Sequence, residues 1–207
     1  SLSCFIGRLF KLEATDNTHT AYMALKEWAV VVEIMGSGRQ ILTLRKGGIH
    51  LSDKNFRVLH KEFLLYPTYE HQRQALLKAE HRTGLSGTFE GDSIQNTISM
   101  RYWCRVTDFH QIDDPETLAK LAPYHSWTNQ YAEKRLHWRP KQPLTVAFMR
   151  IYRLRKPVRI DLLDKFEGCK SWVELGQKVG LGKMDPVLDD SQYYETVGKV
   201  KNLINQN

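Results

Sequence analysis

The thirteen residues TISMRYWCRVTDF, Thr97 to Phe109, constrain the fold more than any other stretch of this chain. Their apolar and polar residues alternate, a period that suits an extended strand and no helix. Ile98, Met100, Tyr102, Cys104 and Val106 are predicted on one face, with Ser99, Arg101, Trp103, Arg105 and Thr107 on the other. A half-buried strand of this length needs partners, so the chain must build a sheet. Beyond Pro143, LTVAFMRIYRL is apolar on both faces in its first half, as expected of a strand central in that sheet.

Other segments supply helices. Asp113-Asp114-Pro115 opens one through Leu121, and a second is predicted from about Trp127 to Trp138. Residues 20–35 admit two readings. Leu25, Trp28, Ala29, Val32 and Met35 recur at helical spacing, whereas Val30-Val31-Val32 followed by GSGR and another apolar run has the grammar of a hairpin. The helix, ending at Gly36, is the preferred reading. Strands are then expected over Ile41 to Arg45 and Phe56 to Tyr66. Pro67 should stop the second of these, Thr68 should cap, and a polar helix should run from Tyr69 to Arg82. Residues 83–96 read as an exposed connection, and the chain from Ser171 as short helices. The sum is a single-domain α+β chain, a mixed sheet or small open barrel flanked by helices. It divides into an N-terminal arm (1–19), a core (20–170) and a C-terminal helical extension packed on that core (171–207).

The 207 residues suffice for a core without staples, and no window approaches the roughly 18 apolar residues of a membrane span. The N-terminal SLSCFIGRLFKLEA lacks a cleavage-site pattern and reads as a strand or tail. Cys4, Cys104 and Cys169 are odd in number and widely spaced, which fits a reducing cytoplasm.

Charge is distributed unevenly. The net charge is +7, from 30 basic and 23 acidic residues. Nine of the basic residues (Lys134, Arg135, Arg139, Lys141, Arg150, Arg153, Arg155, Lys156 and Arg159) fall in one segment without a single acid, leaving 21 basic against 23 acidic elsewhere. Concentrated charge of this kind makes a field that attracts polyanions, while a merely solvated face is the simpler alternative. Within the segment, Arg135, Trp138 and Arg139 share one side of a helix. On the strand that follows, Arg150 and Tyr152 are expected on one face, with Arg153 and Arg155 on the other. Together with Arg101, Trp103 and Arg105, these residues join guanidinium groups to aromatic faces, as nucleic-acid binders do. Arg45, Lys46, Gly47 and Gly48 add a corner whose glycines can turn the backbone N–H groups outward around one phosphate, or else form a solvated turn. The expected partner is nucleic acid, DNA ahead of RNA. The reading requires the cations to converge on one face.

Catalytic patterns are weaker. The Walker loop, the dinucleotide fingerprint and the E-x-K or D-x-K of metal-dependent nucleases are all missing, and His60-Lys61-Glu62 lacks the P-C-x-x-C half of a zinc deaminase. No metal site and no cofactor is expected. The candidates for an alternative hydrolytic or transferase activity are His71 with Glu70, and Cys169 beside Lys170. A third reading makes the basic patch a docking surface for an acidic partner protein.

Three phrases, ALKEWAVVVEIMGSGRQILTLRKGGIH, FLLYPTYEHQ and FEGCKSWVEL, resemble the bacterial domain-of-unknown-function family numbered 1802, common in cyanobacteria. The resemblance runs from about Ala21 to beyond Leu188. Some members are joined to Mrr-type restriction endonuclease domains, which implies a role in a restriction-modification system beside a partner nuclease. The family implies no catalytic residues. In its order of elements the chain also looks somewhat like PUA-type barrels of the ASCH and EVE kinds, which bind RNA or modified bases.

Overall fold

The computed structural model describes residues 19–46, 60–69, 73–82, 97–162 and 171–206. Its strands are β1 (Thr20–Trp28), β2 (Leu42–Arg45), β3 (Glu62–Thr68), β4 (Thr97–Ile112), β5 (Leu144–Asp161), β6 (Trp172–Gly180) and β7 (Met184–Pro186). Its α-helices are α1 (Ala29–Gly36), α2 (Pro115–Lys120), α3 (Asn129–His137) and α4 (Asp190–Ile204). The strands form one mixed sheet in the order β2-β5-β4-β3-β1-β6, with β7 also paired to β5. Only β1 and β3 run parallel. This is the α+β architecture expected, an open sheet flanked by helices.

The sheet is strongly curled, and chain length shows why. Three residues connect β6, next to β1, with β7, beyond β5 at the other side. In a flat sheet those strands would be five spacings apart, about 24 Å. Three residues reach no more than about 14 Å. The sheet therefore bends until its two sides approach, and Arg155 N–H donates to Lys183 O at 3.0 Å across the gap. Inside the bend lies a core of Ala21, Ala24, Leu64, Tyr66, Ile98, Met100, Trp103, Leu154, Val173, Leu175 and Leu181. A larger core lies under the helices, built on Leu25, Val31, Met35, Leu42, Phe63, Tyr102, Phe148 and Tyr193, among others.

Four segments depart from the sequence reading. Residues 20–35 are neither one helix nor a hairpin. Thr20–Trp28 is strand, held between β3 and β6 by both sets of ladder bonds, and the helix begins only at Ala29. The β-branched run enters the helix because it is buried on nearly every side, where packing overrides propensity. Pro67 does not stop β3, which continues to Thr68 opposite Trp28. The predicted helix beyond it is replaced, among the described residues, by two 3₁₀ turns (Gln74–Leu76 and Ala79–His81), because Leu77 pairs in extended form with Trp127. Glu70, His71 and Gln72 lie outside the described residues, as do residues 83–96. Trp172–Gly180, expected as helix, is strand β6.

The fourth departure concerns β4 itself. Its alternation does not persist. Between the pairs Met100–Val158 and Tyr102–Arg153, Arg101 alone faces four residues of β5, Leu154 to Pro157. The faces exchange at that point. Trp103, predicted beside Arg101 on a polar surface, instead shares the inner core with Ile98 and Met100. Tyr102, Cys104 and Val106 face the helices.

The expected helices α2 and α3 form, each closed by a side-chain cap. The Asp114 carboxylate accepts from Thr117 N–H at 2.6 Å, and the Thr128 hydroxyl from Tyr131 N–H at 3.3 Å. In α4 a capping box joins Asp189 and Gln192.

Candidate nucleic-acid interface

The cations singled out in the sequence occupy three places rather than one face. At the first, β2 ends against the last turn of α3. Arg45 donates to Glu27 at 2.9 Å and to Lys26 O at 2.9 Å. Arg135 donates to Leu44 O at 2.7 Å and to the Tyr131 hydroxyl at 3.3 Å. Its guanidinium lies 5.1 Å from the Trp127 ring and 5.0 Å from that of Tyr131. Lys46 donates to Leu136 O, placing a positive charge on the negative end of α3. Burial lowers the pKa of the Arg45 guanidinium and the Lys46 ammonium, Glu27 opposing the shift at Arg45.

The chain then leaves α3 through an exposed turn. Trp138 is 56% exposed, among the most exposed large hydrophobic side chains described. The Arg139 guanidinium stacks on it at 4.5 Å. Arg139 has φ 58°, a left-handed backbone that a non-glycine residue adopts only at some cost. Lys134, Arg139 and Lys141, all within four residues of Trp138 in the chain, are exposed. Beside the turn, Gln111, Ile112, Asp113 and Pro140 to Pro143 line an open surface depression of about 260 Å³.

At the second place, residues opposite one another on β3, β4 and β5 form two rows. One is Glu62–Arg105–Arg150, and the next is Leu64–Trp103–Tyr152. Here the structure brings four of the expected residues together. Arg105 lies 5.5 Å from the Trp103 ring, Arg150 5.7 Å from the Tyr152 ring, and the two rings are 5.3 Å apart. Trp103 is 1% exposed, so no ring face is open to a base. Arg150 is also enclosed, paired with Asp190 at 2.7 Å and 4.9 Å from the Tyr193 ring. Burial raises the Tyr193 pKa to about 12.

The third place is the far half of β5. Arg153, Arg155, Lys156 and Arg159 are exposed there, as is Arg101 on β4. Arg153 donates to Gly36 O at 2.8 Å and covers the Tyr102 ring at 5.1 Å, closing the end of α1. Arg155 pairs with Asp185 at 2.9 Å. The basic segment is therefore split along β5, with its two exposed groups separated by about 30 Å of strand, Leu144 to Arg153, at ~3.3 Å per residue.

Gly47, Gly48, Glu70, His71 and Cys169 lie outside the described residues. Among the described residues, no three potential metal ligands gather, and no helix is long and apolar enough to cross a membrane. Cys104 is buried, which pushes its thiol pKa well up.

Sequence reasoning missed Glu27 as the buried acid between these cations, and Trp127 and Tyr131 as the rings that hold Arg135. Nothing local marks them, since they meet only through the packing of α3 on β1 and β2. It also missed a polar pocket around Lys78, which donates to Ala122 O and to His125 O at 2.7 Å. In the same pocket Gln40 accepts from Ser126 N–H at 2.9 Å, and the Ser126 hydroxyl is enclosed with no partner among the described residues.

The sequence matches the model of a family described as a domain of unknown function, DUF1802, over residues 24–199. No curated protein matches it. Among solved structures, a serine-to-alanine mutant of ASCH from Zymomonas mobilis aligns with a TM-score of 0.44 at 10% identity, covering 86% of this chain and 94% of that one. ASCH from the same organism aligns at 0.42 and 11% identity, covering 85% and 93%. Likeness at this level transfers no residue roles.

Proposed function

We propose, for a chain that belongs to the DUF1802 family, that it binds nucleic acid through the turn that follows α3. The observation that carries this reading is Trp138. A tryptophan that leaves the core this far, with an arginine stacked on it, offers an open face for a base. Lys134, Arg139 and Lys141 are exposed within four residues of it in the chain and outnumber the exposed acids Glu133 and Asp113 beside them. Stacking on an aromatic ring contributes about 1–3 kcal/mol per base and requires an unpaired base, so the reading favours single-stranded DNA over a closed duplex. The left-handed backbone at Arg139 is a second support, because strain of this sort persists where a side chain must be held in one place.

In a restriction-type system such a module would hold the nucleic acid while a partner nuclease subunit cuts it. Arg105, Arg150 and Trp103 have internal partners and serve the fold.

The test is equilibrium binding of labelled single-stranded DNA, duplex DNA and RNA across a salt series, with wild type and Trp138→Ala. Single-stranded DNA is expected to bind most tightly. The substitution is expected to weaken it about tenfold or more without changing the salt slope, because stacking releases no counterions. A Trp138→Ala protein that binds as tightly as wild type sinks the proposal.

A further inference from the structure

Among the described residues, the corner where β2 meets α3 holds three cations and one carboxylate. Arg45, Lys46 and Arg135 bring three cations together, and Glu27 is the one carboxylate that the described residues place in contact with them. Glu27 and Lys46 are 6% and 7% exposed, and the Arg45 side chain 11%. Among the described residues, Lys46 and Arg135 thus have no carboxylate partner and meet only carbonyl and hydroxyl oxygens, in a largely enclosed place where an unpaired ion costs several kcal/mol. The donors are also incompletely used. Arg45 Nε is enclosed and has no partner among the described residues. Arg135 spends one nitrogen on Leu44 O and another on the Tyr131 hydroxyl, while two rings fix its plane.

Charge and donor geometry point the same way. Guanidinium groups fixed in plane suit oxyanions with several acceptor oxygens. An internal phosphodiester brings one negative charge. A phosphomonoester brings about −1.5 to −2 at pH 7, with three acceptor oxygens. The two cations without a carboxylate partner among the described residues match the monoester.

We infer that this corner takes the terminal phosphate of a nucleic-acid strand, held by Arg45, Lys46 and Arg135. The inference rests on the reading of Trp138 as a stacking platform. Arg135 and Trp138 are three residues apart at the end of α3, so a terminal phosphate and the base beside it would meet both. The domain would then recognise strand ends and not the interior of a chain.

The experiment compares three labelled single-stranded oligonucleotides of one sequence, carrying a 5′-phosphate, a 3′-phosphate or no terminal phosphate. Deoxynucleoside 5′-monophosphate serves as a competitor. One phosphorylated end is expected to bind at least about tenfold more tightly than the hydroxyl end. That gain should shrink as pH falls below about 6, where the monoester becomes a monoanion. It should also disappear in Arg135→Ala and in Lys46→Gln, two variants whose folding is checked by circular dichroism. Equal binding of all three oligonucleotides by wild type overturns the inference and leaves the Trp138 interface standing. Failure of every oligonucleotide and of the monophosphate to bind overturns both.

Discussion

Arg105 and Arg150 stand directly opposite each other across β4 and β5, yet each is drawn to a different acid. Arg105 reaches Glu62 on β3 at 2.9 Å, and Arg150 reaches Asp190 at the start of α4 at 2.7 Å. Like charges in opposed positions repel, and here Arg105 is drawn along the row to β3 while Arg150 is drawn out of it to α4.

The two ion pairs should differ in weight. Arg105 and Glu62 are nearly half exposed, whereas the Arg150 side chain is 6% exposed and packs on Tyr193. Arg150→Ala is expected to destabilise by about 1–3 kcal/mol through lost packing and an unmade link to α4. Arg105→Ala should cost less than about 1 kcal/mol. Urea unfolding of both variants decides it, and equal losses would contradict the assignment.

Gly36 leaves no room for a side chain. A Cβ there would sit 2.0 Å from the Tyr102 ring, whose hydroxyl donates to Glu33 at 3.1 Å. Gly36→Ala should therefore destabilise by about 3 kcal/mol. Adding Tyr102→Leu should recover part of that loss, since the clash is with the ring. An alanine variant as stable as wild type would mean that α1 does not approach β4 so closely.

His125 is 3% exposed, and burial, reinforced by the nearby Lys78, lowers its pKa to about 4. The folded protein thus holds it neutral, while the unfolded chain titrates near 6.5. Its contribution is complete above pH 6.5 and is lost as pH falls towards 4, up to roughly 3 kcal/mol. Stability measured by urea at pH 7, 5.5 and 4.5 should fall through this window, and His125→Gln should flatten the drop. An unchanged pH profile in that variant would assign the loss elsewhere.

The division of the basic segment has its own consequence for binding. Charge reversal at Lys156, on the far half of β5, should leave the affinity for a short oligonucleotide unaltered and weaken only a long one. Arg139→Ala should weaken both and lower the salt slope on single strands by about 0.7. A Lys156→Glu protein that loses affinity for short strands would place the interface on β5 instead.

What was legible in the sequence was local. Asp114 announced its helix because a cap is a contact within three residues. The strand period of β4 was equally visible, but its break at Arg101 was not, since the extra residues belong to β5. The same limit explains Thr107. It is skipped between the pairs Val106–Met149 and Asp108–Phe148, and its hydroxyl meets that of Tyr193 at 2.6 Å. Spacing put Arg135, Trp138 and Arg139 on one side of a helix, but α3 ends at His137 and Arg139 is left-handed, so Arg135 turns to the β2 corner while Trp138 and Arg139 lie in the turn beyond. The buried partners of Arg45 and Arg135 could not be read in advance, because only the tertiary fold brings β1 beneath them.

The short link between β6 and β7 governs how this chain can be made. Thr20 pairs with Gly180, 160 positions later. Until Trp172 to Pro186 has left the ribosome, β1 presents an unpaired edge and the inner core lies open along Ala21, Ala24 and Leu64. Sheets completed so late fold slowly and expose aggregation-prone edges during synthesis. Fragments cut before β6 should therefore collect in inclusion bodies, while the chain carried through α4 stays in solution.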